Sequence, residues 1–403
     1  MEPHEPAMSL SPQDPEFVQN PYPFYARWRE ECPAFFWEQL GHWCFARHED
    51  VSALLRDRRF GRQILHIATH EELGWPEPAS RLRPFYDFEQ HSLLELEPPV
   101  HTRLRGFINP AFLPRQIERL RPEVAKLADA LIDDFRSAGK TDLITSFATP
   151  IPVMVIARFL GVPAEMSARL LEWSHDMVAI YQARRDRGIE DRAVAATVAF
   201  SGYVRTLLAE KRGAPGEDFI SQLIAARDEE GTVLTDDELV TTSILLLNAG
   251  HEATVNAMAN GVKALLENAS SPEFLANPSA CAEEMLRFDT PLHMFKRYAL
   301  EDLEYKGIAL RKGDQVGLVL GSANRDGSKF PNAETFVPSR SPNPHVSFGA
   351  GIHFCVGAPL ARLEMQTALR VLFERLPGLR LDGPTRYTDT WHFHALESLP
   401  VAW

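Results

Sequence analysis

Cysteine is scarce in this chain of 403 residues. No two of its four cysteines form a C-x-x-C or similar paired motif; they are Cys32, Cys44, Cys281 and Cys355. Secreted proteins that rely on disulfides carry denser cysteine frameworks, and structural zinc sites need several ligands close together. The cysteine content therefore argues against both classes and favours a reducing, cytoplasmic environment.

Long apolar segments are also missing. The chain begins Met1-Glu-Pro-His-Glu-Pro-Ala, which lacks the basic start and apolar run of a signal peptide. No stretch approaches the roughly 18 consecutive apolar residues of a membrane span, and the nearest candidate, residues 151–156, is interrupted by Pro152. We therefore expect a soluble, intracellular protein without a membrane anchor, in which residues 1–18 form a flexible N-terminal segment.

An excess of positive charge is absent as well. Lys and Arg number 42 against 55 Asp and Glu, which gives a formal net charge of −13 at pH 7. A negative chain repels polyphosphate at long range, so we expect no nucleic-acid partner. The sequence also lacks internal repeats and Gly/Ser linkers that would separate independent domains.

Apolar and charged residues are present in the proportions of a folded protein. Hydrophobic residues make up 45% of the chain and charged residues 24%, close to the averages for globular domains. The spacing of apolar residues between about 122 and 266 predicts mainly helices. The helices predicted there and beyond cover residues 124–135, 198–211, 219–227, 280–288 and 360–372.

The clearest predicted helix covers residues 235–267. It opens with Thr235-Asp-Asp-Glu238, a capping-box sequence in which the two outer side chains satisfy backbone N–H groups of each other. At 1.5 Å per residue this helix would be about 45–50 Å long. Its apolar middle is interrupted by Gly250, His251 and Glu252, which indicates either a satisfied polar group in the core or a functional site.

Strand-like segments are short and few. They occupy residues 42–46, residues 303–320 and parts of the last twenty-five residues. They do not alternate regularly with the helices, which argues against a doubly wound parallel sheet. We therefore predict a mainly α protein with small β-sheets, of the α+β class.

One cysteine lies in a glycine-rich segment, Phe348-Gly-Ala-Gly-Ile-His-Phe-Cys-Val-Gly-Ala-Pro. Glycines let the backbone turn tightly beside a bulky group, and N–H groups at the start of the following helix favour a thiolate. With no second cysteine nearby, a zinc or iron–sulfur site is disfavoured. Cys355 is then a nucleophile, a single axial ligand of haem iron, or a structural cysteine in a turn.

The order of motifs along the chain matches one family. The segment Phe348-x-x-Gly351-x-His353-x-Cys355-x-Gly357 resembles the haem-ligand signature of cytochromes P450, and Glu284-Met-Leu-Arg287 resembles their structural ExxR pair. The length and the absence of an anchor resemble the soluble bacterial branch. Further similar segments are Asn20-Pro-Tyr-Pro23, Pro98-Pro-Val-His101-Thr-Arg-Leu-Arg105, Ala323-Asn-Arg-Asp326 and Phe336-Val-Pro-Ser-Arg340.

This resemblance implies a single cytochrome P450 domain over residues 1–403. Haem b (iron protoporphyrin IX) would lie between the long central helix and the cysteine loop, with Cys355 as the ligand of the iron. The family pattern gives Glu284, Arg287 and Arg340 a structural role. It places the other cofactor-binding residues at Ala249, Phe348 and Gly349, and the contacts with the haem propionates at His101, Arg105, Arg297 and His353.

The resemblance assigns oxygen activation to the central helix. Ala249 and Gly250 would leave room for dioxygen, and Glu252 would help to deliver protons. The acid of the family is commonly followed directly by threonine, whereas this chain reads Glu252-Ala253-Thr254. Successive helical residues point about 100° apart, so Thr254 does not simply replace a hydroxyl at position 253. We hypothesise that water or a polar group of the substrate takes the place of that hydroxyl.

The resemblance also suggests where substrate binds. Residues 63–88 and 177–187 are predicted to be mobile covers, and their composition indicates an apolar ligand with some polar handle. Each residue of the predicted pocket border could equally be plain core. These residues are Leu246, Leu247, Leu292, His293, Met294, Phe295 and Phe393.

Together these features predict a haem-thiolate monooxygenase that inserts one atom of O2 into a small or medium-sized hydrophobic molecule. No flavin or iron–sulfur domain is visible within the 403 residues, so we expect electrons from a separate ferredoxin and its reductase, docked near Arg103, Arg119 and Arg362. The alternatives are a peroxide-using haem-thiolate peroxygenase, a non-catalytic haem-binding sensor or carrier, and a hydrolase with Cys355 as nucleophile and His353 as base.

Overall fold

Helices predominate over strands in the computed structural model, which describes residues 7–181, 185–268 and 271–403. The helices are α1 (Pro15–Gln19), α2 (Tyr22–Glu31), α3 (His48–Leu54), α4 (Arg83–Glu89), α5 (Val100–Ile108), α6 (Pro114–Ile117), α7 (Arg121–Phe135), α8 (Pro150–Leu160), α9 (Ser167–Val178), α10 (Arg187–Gly213), α11 (Phe219–Ala225), α12 (Asp236–Asn268), α13 (Ser271–Ala276), α14 (Pro278–Phe288), α15 (Leu320–Ala323) and α16 (Ala358–Arg375). The strands are β1 (Ala7–Met8), β2 (Ala34–Trp37), β3 (His42–Phe45), β4 (Phe60–Gly61), β5 (Lys140–Asp142), β6 (Phe295–Ala299), β7 (Leu303–Tyr305), β8 (Ile308–Leu310), β9 (Gln315–Leu318), β10 (Arg380–Leu381) and β11 (Pro400–Ala402). The predicted class, mainly α with small sheets, is confirmed.

The contacts between residues divide the chain into two compact units. The first unit comprises Met1–Ile64, Leu120–Thr149 and Ala253–Trp403, and the second comprises Leu65–Arg119 and Pro150–Glu252. Every strand found among the described residues lies in the first unit, whereas the second unit is helical. Helix α12 contributes its residues up to 252 to the second unit and the remainder to the first.

The main sheet of the first unit has the strand order β1-β2-β3-β9-β6-β4. Strand β9 lies at its centre, parallel to β3 and antiparallel to β6. Strands β10, β11 and β5 form a second sheet, and β7 pairs with β8. Because β9 is paired on both edges and its side chains are largely buried, the sheet gives the first unit a rigid centre.

Part of the predicted flexible segment is packed against this unit. Strand β1 pairs with β2, and the Trp37 indole donates a hydrogen bond to the Leu10 carbonyl at 2.6 Å. Phe17 and Val18 are buried, and the Phe17 ring packs against Trp28 at a centroid distance of 5.6 Å. Residues 1–6 lie outside the described residues. For the rest of 1–18 the prediction is corrected, because aromatic packing holds the segment on the core.

The second unit contains helices α4 to α6 and the chain from α8 to the middle of α12. Phe159 at the end of α8 stacks on Phe219 of α11, with ring centroids 5.1 Å apart and 20° between the planes. Helix α10 starts at Arg187, earlier than the predicted residue 198, because the Asp186 side chain accepts a hydrogen bond from the Ile189 N–H at 2.8 Å. No helix in the described part of the chain combines the length and apolar character that crossing a membrane requires.

The capping box predicted for the long helix is present. The Thr235 N–H donates to the Glu238 carboxylate at 2.9 Å, and the Glu238 N–H donates to the Thr235 hydroxyl at 3.2 Å. Strand prediction was less accurate. Strand β6 was not predicted. The strand that was predicted to continue through residue 320 ends at Leu318, and helix α15 begins at Leu320.

Candidate functional site

Cys355 lies in the loop between a 3-10 turn, Gly351–His353, and helix α16. Its N–H donates to the Phe348 carbonyl at 2.9 Å, and its own carbonyl accepts from Ala358 N–H at 3.3 Å. Cys355 is exposed and forms no disulfide bond. The sulfur is therefore accessible at the N-terminus of a helix, where backbone N–H groups favour an anionic sulfur.

Two glycines of this loop are required by its geometry. Gly349 and Gly351 have φ values of 67° and 72°, in the left-handed region that favours glycine. A Cβ on Gly351 would lie 2.4 Å from the carbonyl oxygen of Leu55, and one on Gly349 would lie 3.1 Å from the ring of Phe295. The loop therefore passes so close to Leu55, at the end of α3, that no other residue fits at position 351 without rearrangement.

The aromatic ring that opens the loop is held by an ion pair. The Arg362 guanidinium lies 4.5 Å from the centre of the Phe348 ring and donates to both Glu283 oxygens at 2.7 and 2.8 Å. Burial alone would raise the pKa of Glu283, but hydrogen bonds from Arg362 and His345 lower it to about 2. Arg362 therefore positions Phe348, and its charge is compensated locally.

The other two arginines predicted to dock a ferredoxin lie in the second unit and differ in whether their charge is paired. Arg103 forms a salt bridge with Glu238, whereas Arg119 is exposed. A paired arginine presents less net charge to an approaching protein. Of the three predicted docking residues, Arg119 is thus the one whose charge faces solvent.

The predicted propionate contacts are divided between the two units. In the first unit Arg297 is 2% exposed and lies on β6, and its guanidinium is 5.9 Å from the ring of Phe295, while His353 is half-buried in the cysteine loop. In the second unit His101 is 3% exposed and Arg105 is half-buried. They are four residues apart on α5, so they share a helix face.

These donors fit a thiolate-ligated haem. One accessible thiol at a helix N-terminus suits a single axial bond to iron. Guanidinium and imidazole groups suit anionic propionates, and guanidinium does so in a bidentate way. The residues predicted to hold the group are Cys355, Phe348, Gly349, Arg297 and His353 in the first unit and His101, Arg105 and Ala249 in the second.

The accessible face of α12 carries a carboxylic acid. Glu252 is half-buried, and burial raises its pKa to about 7. Within the described residues Glu252 has no hydrogen bond or ion pair, so its carboxyl group is available to water. Ala253 is half-buried beside it, and Thr254 is 6% exposed on another side of the helix.

Gly250 allows close packing between two helices. A Cβ at this position would lie 2.9 Å from Cγ1 of Ile156 on α8. The open side of Gly250 therefore faces α8, which allows the two helices to approach closely. That Gly250 and the exposed Ala249 leave room for dioxygen stays a prediction.

Leu246 and Leu247 are buried with 6% and 4% exposure, and their place at the pocket border stays a prediction. Leu247 lines a small cavity together with Ile156 and His251. The accessible residues upstream of Glu252 are instead Leu245, Asn248 and Ala249. The sequence could have predicted this, because these residues lie seven, four and three positions before Glu252 and therefore share its face of the helix.

The residues predicted after the ExxR helix separate into two groups. Leu292 and Phe393 are half-buried and face each other in a β-bridge, and Phe295 is half-buried beside Gly349. His293 has no exposed surface and its Nδ1 bonds to the Tyr25 hydroxyl at 2.7 Å.

Met294 is buried in the aromatic cluster around Trp28. His293 and Met294 therefore belong to the core, because the chain turns inward between Leu292 and the start of β6. Their predicted place at the pocket border is corrected.

The predicted covers contact each other within the second unit. The Phe85 ring packs against Tyr181 with centroids 5.9 Å apart, and Arg185 Nη2 donates to the Tyr86 hydroxyl at 3.4 Å. The Tyr181 hydroxyl donates to Glu89 at 2.5 Å. Residues 182–184 of the second predicted cover lie outside the described residues.

Comparisons with known proteins agree on one family. The family model described as "Cytochrome P450" matches residues 67–274 and 279–377. The polyketide biosynthesis cytochrome P450 PksS of Bacillus subtilis is 35% identical over 98% of this chain and 98% of its own length. The cytochrome P450 monooxygenase PikC of Streptomyces venezuelae is 36% identical over 99% of this chain and 94% of its length. The crystal structure of P450BioI in complex with a hexadec-9Z-enoic acid ligated acyl carrier protein has a TM-score of 0.88 and 36% identity, covering 96% of this chain and 100% of that one.

Proposed function

The chain belongs to the cytochrome P450 family and is a haem-thiolate monooxygenase, and from that premise we propose that it inserts one oxygen atom into a small or medium-sized hydrophobic molecule. The observation that carries the proposal is the accessible Cys355 thiol, held by a glycine loop at the start of α16. Bound haem supplies the activation of dioxygen, and its thiolate ligand favours cleavage of the O–O bond.

We propose that the chain's own residues bind the cofactor as follows. Cys355 provides the anionic sulfur, and His101, Arg105, Arg297 and His353 contact the propionates. Burial of Arg297 in β6 and of His101 in α5 supports this role, since buried donors are already desolvated and oriented before an anion binds. The 403 residues would then act as a single P450 domain.

The substrate class follows from the accessible face of α12. Leu245, Ala249 and Ala253 make this face apolar, while Asn248 and Glu252 provide two polar groups. A hydrophobic substrate with one polar handle suits such a surface. The polyketide and acyl chains named for the relatives are molecules of this kind.

Proton delivery would depend on Glu252. With a pKa raised to about 7 by burial, this carboxyl group can both hold and release a proton near neutral pH. Ala253 supplies no hydroxyl, so we propose that water or a polar group of the substrate connects Glu252 to the reacting oxygen.

Electrons would come from a separate ferredoxin and ferredoxin reductase. The cysteines Cys32, Cys44, Cys281 and Cys355 are free and dispersed, which does not suit an iron–sulfur centre within these residues. Free thiols also fit the reducing cytoplasm, where we place the protein. Exposed Arg119 is the basic residue proposed to meet an acidic ferredoxin.

The missing hydroxyl favours a second candidate function, a peroxygenase that uses hydrogen peroxide directly. The experiment that tests both begins with the ferrous–CO spectrum of the purified protein, in which thiolate ligation gives a strongly red-shifted Soret band. A ligand screen that follows the spin-state shift of the haem then identifies hydrophobic binders.

Turnover of these binders decides between the candidates. Product formed with NAD(P)H, ferredoxin and reductase supports the monooxygenase proposal, and product formed only with hydrogen peroxide supports the peroxygenase. If the binders give no product under either condition, the result would support a haem-binding sensor or carrier. Cys355→Ser should abolish the red-shifted band, and Cys281→Ser, at a buried cysteine, should retain it.

A further inference from the structure

Three soft donor atoms converge beside Gly317 in the main sheet. A Cβ built on Gly317 would lie 2.6 Å from Cys44 Sγ, 2.8 Å from Met294 Sδ and 3.2 Å from His42 Nε2, and these are its three nearest atoms. The three side chains are 0%, 2% and 3% exposed. A thiol, a thioether and an imidazole therefore pack together against Gly317 in the core of the first unit.

The sheet register explains why these atoms meet. Gly317 on β9 is opposite Cys44 on β3 and opposite Lys296 on β6. Opposed residues on neighbouring strands place their side chains on the same face. His42 precedes Cys44 by two positions, and Met294 precedes Lys296 by two, so period-two alternation brings them to that face as well.

The imidazole is oriented as a metal ligand would be. His42 Nδ1 is 2.9 Å from the Leu40 carbonyl and donates its hydrogen there, which leaves the lone pair on Nε2. Nε2 is buried and has no hydrogen-bond partner among the described residues. Metal-binding histidines characteristically bond their second nitrogen to a carbonyl or carboxylate in this way.

We propose that Cys44, His42 and Met294 form a binding site for a soft monovalent metal ion, namely Cu(I). Thiolate and thioether sulfur favour soft ions, of which Cu(I) is the monovalent one. On binding, the Cys44 thiol loses its proton to solvent and the sulfur bonds to the ion, with no change of oxidation state. The resulting thiolate and Cu(I) pair is electrically neutral, whereas a divalent ion would add a further positive charge on the face that also carries Lys296.

Zinc suits these three donor atoms less well than Cu(I) for a second reason. Structural zinc sites are almost always four-coordinate with a preference for thiolate and imidazole. The donors at Gly317 number three and include a thioether. This site is independent of the haem and of the proposed oxygenation.

The test measures copper in the haem-loaded protein. The wild type, expressed with copper in the medium and also titrated anaerobically with Cu(I) against a chromogenic chelator, should retain one copper per haem. Cys44→Ser and His42→Phe should lose that copper. Cys281→Ser, which removes another buried thiol, should retain it, and X-ray absorption should show two sulfur atoms and one nitrogen around the copper.

Folding of each variant is checked by its ferrous–CO spectrum. If Cys44→Ser does not fold, Met294→Leu serves instead, because volume-conserving apolar changes are well tolerated; it should retain less copper at the same chelator concentration. The proposal is overturned if the wild type retains no stoichiometric copper, if stoichiometric zinc binds in its place, if a folded Cys44→Ser or Met294→Leu retains copper as the wild type does, or if Cys281→Ser loses it.

Discussion

The Glu284 carboxylate and the Arg287 guanidinium form two parallel hydrogen bonds of 2.8 Å at a point where neither side chain has exposed surface. Glu284 also accepts from Arg340 Nε at 2.9 Å and from the Val337 N–H at 2.8 Å. Arg287 donates further to the Asn324 carbonyl at 2.8 Å. This pair thus ties α14 to the segment that precedes the cysteine loop.

Breaking this pair should destabilise the protein strongly. Glu284→Gln leaves two buried guanidinium groups without a carboxylate, and removal of one partner of a buried ion pair costs about 3–5 kcal/mol. Urea unfolding followed by circular dichroism measures the loss. The matched control is Glu374→Gln, which breaks the exposed pair with Arg370 and should cost less than about 0.5 kcal/mol. Similar losses for both variants would contradict the structural role of the buried pair.

Glu252 should make stability depend on pH. Its pKa is raised from 4.5 to about 7, so between these values the folded chain binds more protons than the unfolded chain. Stability therefore falls as pH rises through this window, by roughly 3 kcal/mol at 1.36 kcal/mol per pKa unit.

Glu252→Gln should remove this loss, so that the variant gains stability over the wild type between pH 4.5 and pH 8. Urea unfolding at both pH values measures the difference. Glu267→Gln, at a side chain on the same helix that is 41% exposed, is the control and should follow the wild type. The expectation fails if Glu252→Gln shows the same pH dependence as the wild type.

Restoring the missing hydroxyl should change coupling. Ala253→Thr places a hydroxyl next to Glu252 on the accessible face of α12, and we expect more product per NAD(P)H consumed. Val255→Thr is the control, because it adds a hydroxyl about 200° around the helix from position 253. If coupling does not change and the wild type is already near stoichiometric, with neither ordered water nor a substrate hydroxyl near Glu252, our hypothesis of proton delivery is wrong.

The close approach of α12 and α8 can be tested with a double-mutant cycle. Gly250→Ala should gain about 1 kcal/mol of helix propensity, but its Cβ would lie 2.9 Å from Ile156 Cγ1, and overpacking costs about 1–3 kcal/mol. We expect net destabilisation in the wild type and stabilisation in the Ile156→Ala background. Unfolding free energies of the four proteins give the coupling, and equal effects in both backgrounds would refute the packing role of Gly250.

Gly351 should be essential for the cysteine loop. Gly351→Ala adds a clash with the Leu55 carbonyl to the cost of a left-handed residue, which is about 1–2 kcal/mol. The ferrous–CO spectrum should lose its thiolate-ligated band. Gly139→Ala has the same kind of φ, 71°, with no atom within 4 Å of the new Cβ, so it should show only a modest loss of stability and an unchanged spectrum. A normal spectrum of Gly351→Ala would show that the loop can rearrange to accept a side chain, which would contradict this prediction.

Local features of the chain were predictable because their causes lie within a few residues. The Thr235 and Glu238 capping box, the helix periodicity after residue 121 and the glycine-flanked Cys355 all depend on neighbours in sequence. Motif order then identified the family, because the signature around Cys355 and the ExxR pair are both short and contiguous.

The tertiary structure decided which side of each element meets which neighbour. Gly250 faces Ile156, and His293 faces Tyr25, because distant segments pack there, and no local pattern encodes that choice. The same holds for Phe17, which aromatic packing buries although its segment reads as a flexible terminus. The sequence by itself determined the family and predicted Cys355 as the haem ligand and Glu252 as the acid of the central helix. Only packing between distant residues decided which side chains stay accessible.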